Sequence, residues 1–213
     1  MAEENKDQKE PFDGVQGKKK TEKCPLCDVS EETIKRLEES ANKKEVEKFI
    51  TKTNTKLFFA NGHGNDNQLC GHKNEVIISG DENADLLKNK IIYARACSAG
   101  ASLGKKAVQN GDGCFIGYAH LFSFWMDGKW SAAPLKDKTA AFYLEPSNEI
   151  VIALINGKSS REAHEKSKKM MAKNMKKLLR LEEKQEPSAM GMLQVLWNNY
   201  EGQVLHGNKE AYF

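Results

Sequence analysis

The hydrophobic residues of this chain fall into short runs that alternate with longer segments of helical spacing. Residues 57–60, 91–94 and 114–118 form brief apolar runs, with aromatic or β-branched side chains, that end at turn-forming residues. Runs of this length and composition are typical of strands buried in a sheet. Roughly thirty residues separate the first two runs, which is enough chain for the crossover that parallel strands require. The pattern therefore predicts an α/β fold with a mostly parallel sheet in which these strands are neighbours.

Segments of helical spacing lie before, between and after these runs. A helix with acidic residues in its first turn is predicted to begin at Ser30 and to be interrupted near Asn42. A hairpin is expected through residues 76–78, and a turn is expected at 85–88. The remaining predicted helices are 101–109, 133–143, 148–156 and 159–183, with a turn at Pro146 between the second and the third.

Two polar segments follow the first two predicted strands. His63 stands between two glycines directly after the first run, and Cys97 stands among small residues directly after the second. The carboxyl ends of parallel strands meet at one edge of a sheet, where α/β folds build their sites, so we expect His63 and Cys97 to lie together. A thiol is a useful nucleophile as a thiolate, and an imidazole within hydrogen-bond reach favours that form.

This pair predicts acyl transfer, with Cys97 as the nucleophile and His63 as the general base. The backbone amides of Gly64 and Cys97 are the predicted donors to the oxyanion that forms during the attack. The reaction would pass through a thioester acyl-enzyme that water then hydrolyses. The alternative interpretation is structural, because a cysteine after a strand is commonly a small buried hydrophobe.

Longer motifs around this pair resemble a known family. Residues 95–100 read Arg-Ala-Cys-Ser-Ala-Gly, which keeps the Ala-Cys core of the caspase signature and has Arg95 in place of its Gln. Further similarity follows in order at residues 113–118, 142–149, 196–199 and 204–208. Together these motifs resemble the caspase-like cysteine peptidases, the group of caspases, legumain, clostripain, gingipains, separase and the CHAT domains. The gingipain-like and CHAT branches are the most similar, and the resemblance covers residues 56–213.

The resemblance implies a caspase-like three-layer α/β/α sandwich and a cysteine endopeptidase. Such an enzyme acts on protein or peptide substrates and uses no metal or other cofactor in catalysis. Matching the motifs assigns the base to His63 and the nucleophile to Cys97. Family members carry two strands and a helix before the strand that bears the histidine, and this chain has little room for them.

The shortage of upstream strands leaves one edge of the predicted sheet open. An uncovered edge strand exposes unpaired backbone groups, so we expect a second copy or another chain to pair with it. A shortened relative of this kind leaves a second function open, that of a catalytically inactive interaction module that pairs through its incomplete sheet edge.

Acidic side chains in the loops are candidates for binding a basic substrate side chain, because relatives that cleave after Arg or Lys use a carboxylate in that pocket. Trp125 and Trp130 flank Asp127 and are candidates for a pocket wall, with core packing as the alternative. For each carboxylate the alternative is an ordinary surface position. The candidate carboxylates are Asp66, Glu75, Asp81, Glu82 and Asp127.

Cys24 and Cys27 form a Cys-x-x-Cys segment with the spacing of half a zinc site. Cys70 and His72 form another close pair, so a structural zinc site with three cysteine ligands and one histidine is one interpretation of these four residues. The alternative is a pair of reduced thiols on the N-terminal arm, because one Cys-x-x-Cys without a second such motif is a weak zinc signature.

Composition narrows the class of protein. The chain has 213 residues with 33 basic and 30 acidic side chains, and its net charge of +3 does not indicate a nucleic-acid partner. The lysines of segment 159–183 have no aromatic residues between them on which bases would stack. No run approaches the roughly 18 apolar residues that span a membrane. The charged N-terminus and the five cysteines predict a cytoplasmic protein.

Three parts are predicted along the chain. Residues 1–23 form a Lys/Glu-rich arm of low hydrophobicity that we expect to be disordered. Residues 24–55 form a helical lead-in that contains the Cys-x-x-Cys segment. Residues 56–213 form the caspase-like domain.

Overall fold

The structure, a computed structural model, describes residues 39–53, 55–186 and 189–213. Its strands are β1 (Leu57–Asn61), β2 (Gly64–Asn65), β3 (Gln68–Cys70), β4 (Val76–Ser79), β5 (Ile91–Arg95), β6 (Cys114–Tyr118) and β7 (Gln203–Gly207). Its helices are α1 (Lys43–Lys52), α2 (Leu103–Ala107), α3 (Lys138–Ile155), α4 (Ser160–Glu183) and α5 (Met192–Gly202). These elements confirm the predicted α/β class.

Four strands form the main sheet in the order β1–β5–β6–β7. β1, β5 and β6 run parallel, and β7 runs antiparallel to β6. The three apolar runs that predicted strands therefore lie side by side, and the first two are neighbours as their spacing suggested. A separate antiparallel sheet of β2, β3 and β4 contains the expected hairpin.

The centre of the main sheet is buried on both faces, as is usual for parallel strands. Side chains alternate along β5, so that Ile92 contributes to a core shared with Ile78 of β4 and Leu103 of α2. Tyr93 contributes to the opposite core, which includes Ile150 of α3. Burial on both faces explains why β5 reads as a continuous apolar run in the sequence rather than as an alternating pattern.

Helix α1 begins where the sequence indicated an interruption. The Asn42 side chain accepts a hydrogen bond from Glu45 N at 3.0 Å and caps the first turn. Ile50 is buried in the same core cluster as β4, so α1 belongs to the compact unit Leu37–Phe213 that contains the sheet. The predicted N-terminal arm and the beginning of the first predicted helix lie outside the described residues.

Helix α4 confirms the long helix predicted over 159–183. Ser159 Oγ accepts a hydrogen bond from Glu162 N, and the Glu162 carboxylate accepts one from Ser159 N, which forms a capping box. Leu178 is buried in the cluster that α4 forms with α3 and α5. Leu179, the next residue along the helix, is exposed.

The predicted turn at Pro146 is wrong, because α3 continues through this residue as one helix. A proline inside a helix has no N–H to donate to the carbonyl four residues earlier, which here is Phe142 O. Asn174 of α4 supplies the missing donor, since its Nδ2 donates to Phe142 O at 3.0 Å. The helix persists because a contact between two helices replaces the lost hydrogen bond, and a local sequence pattern does not reveal such a contact.

Replacing Asn174 with Ala is expected to lower the free energy of unfolding by about 1–3 kcal/mol, because Phe142 O would lose its donor. In a Pro146→Ala background, Asn174→Ala is expected to lower the free energy of unfolding much less. The backbone N–H restored at position 146 can then donate to Phe142 O. Urea unfolding of the single and double variants measures this coupling. Asn198→Ala, at an exposed position of α5, is the control and should change stability little. Equal costs of Asn174→Ala in the two backgrounds would contradict this explanation.

Candidate active site

The pairing of β1 with β5 brings the two predicted catalytic residues to one edge of the sheet. Asn61, the last residue of β1, pairs with Arg95, the last residue of β5. Gly62 N donates to Arg95 O at 3.3 Å, which extends the pairing by one residue. His63 and Cys97 each stand two residues after these strand ends, so both lie beyond the carboxyl edge. His63 is exposed and Cys97 is half-buried, which leaves the pair accessible.

The segment that carries His63 packs directly on the segment that carries Cys97. A Cβ on Gly64 would lie 3.1 Å from the Cβ of Ala96 and 3.2 Å from Cys97 O. Both distances are tighter than ordinary contacts, so a larger residue at position 64 would push the two segments apart. The glycine that follows His63 is therefore explained by close packing of these two segments.

Two backbone amides at this edge fit the predicted role of oxyanion donors. No described residue accepts a hydrogen bond from Cys97 N. Cys70 N donates to His63 O at 2.9 Å, and this bond flanks the pair formed by Gly64 and Leu69. Hydrogen-bonded and non-hydrogen-bonded pairs alternate along an antiparallel ladder, so Gly64 and Leu69 form a non-hydrogen-bonded pair. The N–H of Gly64 therefore points away from β3. Both amides are thus available to a ligand.

A strained turn follows Cys97. Ser98 has a φ of +57°, in the left-handed region that few residues other than glycine adopt. Ser98 N donates to His120 O at 2.9 Å, and Gly100 N donates to Tyr118 O at 2.8 Å. These bonds tie the turn to the residues that end and follow β6. Strain that the surrounding structure maintains in this way is commonly found at functional sites.

The thiol of Cys97 faces the chain that follows β6. Its Sγ lies 3.7 Å from Phe122 O, in the geometry of a weak hydrogen bond. Among the described residues no hydrogen bond joins His63 to Cys97. In free enzymes the hydrogen bonds between catalytic groups are often long and tighten when substrate binds, so this arrangement is compatible with a dyad.

Arg95 joins three elements at the edge and was not predicted as a site residue. Its Nε donates to Asn61 Oδ1 at 2.7 Å, and its Nη1 donates to Asn148 Oδ1 at 2.8 Å. The side chain thereby connects the ends of β1 and β5 to α3. Arg95 and Asn148 both fall within the motifs that carry the family resemblance, but no spacing in the sequence indicates that the two side chains meet.

Helix α5 holds the loop that runs beside Cys97, residues 119–127, which we call the active-site loop. Asn199 Oδ1 accepts from Ser123 N at 3.0 Å, and Asn199 Nδ2 donates to Ser123 O at 2.6 Å. Trp125 packs on the N-terminus of α5, where a Cβ on Gly191 would lie 3.1 Å from its ring. The loop exposes several large apolar side chains, namely Leu121, Phe124, Trp125 and Met126.

The candidate substrate-binding carboxylates are spread over four places. Glu75 accepts a hydrogen bond from Lys43 N at 3.0 Å, and Glu82 forms an ion pair with the Lys43 side chain, so both lie at the start of α1. Asp81 lies 2.6 Å from Lys106 Nζ. The backbone carbonyl of Asp66 accepts hydrogen bonds from Leu103 N, at the start of α2, and from Ser102 N just before it, which ties the β2–β3 hairpin to that helix.

Asp127 is the candidate carboxylate that lies on the active-site loop. Its carboxylate is 2.7 Å from Lys129 Nζ, and the hydrogen bond from Lys129 lowers the pKa of Asp127 below its ordinary value. No hydrogen bond or ion pair among the described residues joins any candidate carboxylate to His63 or Cys97. Binding of a basic substrate side chain by one of them stays a prediction.

The predicted zinc ligands fall only partly within the described residues. Cys70 and His72 stand on either side of Gly71, and His72 N donates to Ala41 O at 2.7 Å. Cys24 and Cys27 lie outside the described residues. Within the described ranges no group of three or more side chains of the metal-ligating types comes together. The zinc site therefore stays a prediction.

Comparisons with other proteins identify no relative of this chain. No protein-family profile, curated protein or solved structure matches it. In the part of the chain that the structure describes, no helix has both the length and the apolar character needed to cross a membrane. The chemistry of the site therefore rests on the residues at the edge of the sheet and their geometry.

The thiols of this protein are expected to differ strongly in reactivity. Cys114 of β6 is fully buried, and this burial raises the pKa of its thiol to about 11. At pH 7.5 iodoacetamide should therefore modify Cys97 at least about 100-fold faster than Cys114 in the folded protein. Peptide mass spectrometry measures both rates, and the difference should vanish in urea. Equal rates in the folded protein would show that this part of the sheet is not packed as described.

Proposed function

We propose that this chain is a cysteine endopeptidase of the caspase-like type, with a three-layer α/β/α sandwich, that acts on protein or peptide substrates. The observation that supports this function best is the parallel pairing of β1 with β5. It brings a histidine and a cysteine together beyond the carboxyl edge of the sheet, which is where α/β folds bind their ligands.

The reaction proceeds in two stages. His63 takes the thiol proton of Cys97, and the resulting thiolate attacks the carbonyl carbon of the scissile peptide bond. The carbonyl oxygen becomes an oxyanion that the amides of Gly64 and Cys97 stabilise. The C–N bond breaks, and the leaving amine takes a proton from His63, which leaves a thioester. His63 then removes a proton from water, which attacks the thioester, releases the carboxylic acid and regenerates Cys97.

The remaining parts of the proposal concern substrate and location. The active-site loop, with Trp125 and Asp127, is the proposed wall of the substrate side-chain pocket, and Asp66, Glu75 and Glu82 are weaker candidates for binding a basic side chain. No cofactor takes part in the mechanism, and no nucleic acid or membrane is a proposed partner. We also propose a cytoplasmic location, which suits a nucleophile that must stay reduced.

A catalytically inactive interaction module is the second candidate function. The observation that favours it is that β1 has no strand on its outer side among the described residues, so this edge of the main sheet offers a surface for another strand. The absence of a hydrogen bond between His63 and Cys97 among the described residues is also compatible with this function. The two candidates differ in whether Cys97 reacts with a peptide-like electrophile.

Labelling with acyloxymethyl ketone peptides tests the proposed activity. The panel carries Arg, Lys, Asp or Leu next to the reactive group, and intact-mass spectrometry measures the adduct. We expect one label per chain, with a preference for one of the four side chains. Cys97→Ala should abolish the label, and His63→Ala should slow it by about 100-fold or more, because it removes the proton-transfer partner.

Cys70→Ala is the matched control, because Cys70 is also half-buried and reduced and has no role in the proposed reaction. This variant should label like the wild type. Folded protein that takes no label from any member of the panel, or that takes it at Cys70, would speak against the peptidase and favour the interaction module.

A further inference from the structure

Strand β1 presents unpaired backbone groups along its outer side. Ile91 N donates to Lys56 O at 2.8 Å, and Gly62 N donates to Arg95 O, so the even-numbered residues from 56 to 62 direct their backbone groups towards β5. The N–H and C=O groups of the odd-numbered residues point the other way. The outer edge therefore offers three donors and three acceptors, from Leu57, Phe59 and Asn61, and none of them bonds to another described residue.

Within the described residues, this edge lacks the usual protection against strand pairing. Natural edge strands carry charged residues, proline or bulges, or are covered by another element. The sequence of β1, Leu-Phe-Phe-Ala-Asn, has no charge and no proline. Phe59 is 45% exposed, and Phe49 of α1 is 57% exposed beside it. A groove of about 470 Å³ runs along the strand between these two side chains.

We propose that the outer edge of β1 binds the same edge of a second copy of this chain, antiparallel, about a two-fold axis at Phe59. The two four-stranded sheets then form one continuous sheet of eight strands. Phe59 lies opposite Phe59 of the second copy, and Leu57 of each copy lies opposite Asn61 of the other. These are the residues with outward backbone groups, so the three pairs form six hydrogen bonds.

Side chains and charges fit a second copy as well as the backbone does. Phe59 already stacks on Tyr93, with ring centroids 5.3 Å apart and an interplanar angle of 3°, and the two-fold axis adds an aromatic contact across the strands. On the other face the larger Phe58 lies opposite the small Ala60. Lys56 lies opposite Gly62 rather than opposite another lysine, so no like charges meet in this register.

The proposed dimer has a consequence for the active site that rests on the proposed function. Lys56 of the second copy would lie beside Gly62, next to His63, and would form part of the wall of the substrate cleft. Dimerisation itself does not depend on catalysis, and a measurement of mass tests it independently. Failure of the dimer and failure of the peptidase are therefore distinguishable.

Analytical ultracentrifugation of the full chain between about 1 and 300 µM tests the dimer. We expect the mass to rise from 23.9 kDa towards twice that value with concentration. Phe59→Lys places a charge on the edge and should keep the protein monomeric. Leu135→Lys, at a fully exposed apolar position outside the edge, is the matched control and should still dimerise. A monomer over the whole range, or equal dimerisation of both variants, would overturn the proposal.

A disulfide across the axis tests the register. Residues opposite each other in a hydrogen-bonded antiparallel pair have Cα atoms about 5.5 Å apart, within the range that a disulfide spans. Phe59→Cys should therefore form a covalent dimer on mild oxidation, with a 59–59 link in the peptide map. Leu57→Cys should not, because the two copies of residue 57 are offset by four positions, roughly 13 Å. A disulfide between the two copies of residue 57 in Leu57→Cys would refute this register. So would the lack of a 59–59 disulfide in a Phe59→Cys protein that still dimerises.

Discussion

The parallel pairing of β1 with β5 is the constraint on which the rest of the structure depends. Its register runs without a break to Asn61 opposite Arg95, and neighbouring strands lie about 4.8 Å apart. The pairing therefore limits how far the segments that carry His63 and Cys97 can separate. Burial of β5 on both faces specifies the register. A shift by one residue would move every side chain of the strand to the opposite face of the sheet, and so into the other core. The site is thus a consequence of the sheet.

Hydrogen bonds from the helices also restrain the strand ends and the active-site loop. Arg95 connects both strand ends to Asn148 of α3, and Asn199 of α5 binds the active-site loop through both backbone groups of Ser123. These contacts hold the strand ends and the loop in place at the edge that carries His63 and Cys97. The edge that carries His63 and Cys97 is therefore supported by helices that follow β5 and β6 in the chain.

The sequence could predict those features that depend on neighbouring residues. Short apolar runs located β1, β5 and β6, and their spacing predicted that His63 and Cys97 would share an edge. The continuity of α3 through Pro146 could not be predicted, because the donor that replaces its N–H comes from Asn174 on another helix. The role of Arg95 was missed for the same reason, since its partners are distant in sequence. Long-range hydrogen bonds leave no periodic signal.

A crystal structure of the protein with a peptidyl ketone bound covalently is the most direct test of the central claim. We predict a bond from Cys97 Sγ to the ligand, with the ligand carbonyl oxygen within about 3 Å of the amide nitrogens of Gly64 and Cys97. The His63 ring should stand within hydrogen-bond reach of the reacting atoms. Attachment at another residue, or a carbonyl oxygen turned away from both amides, would contradict the proposal that this edge of the sheet is a catalytic site.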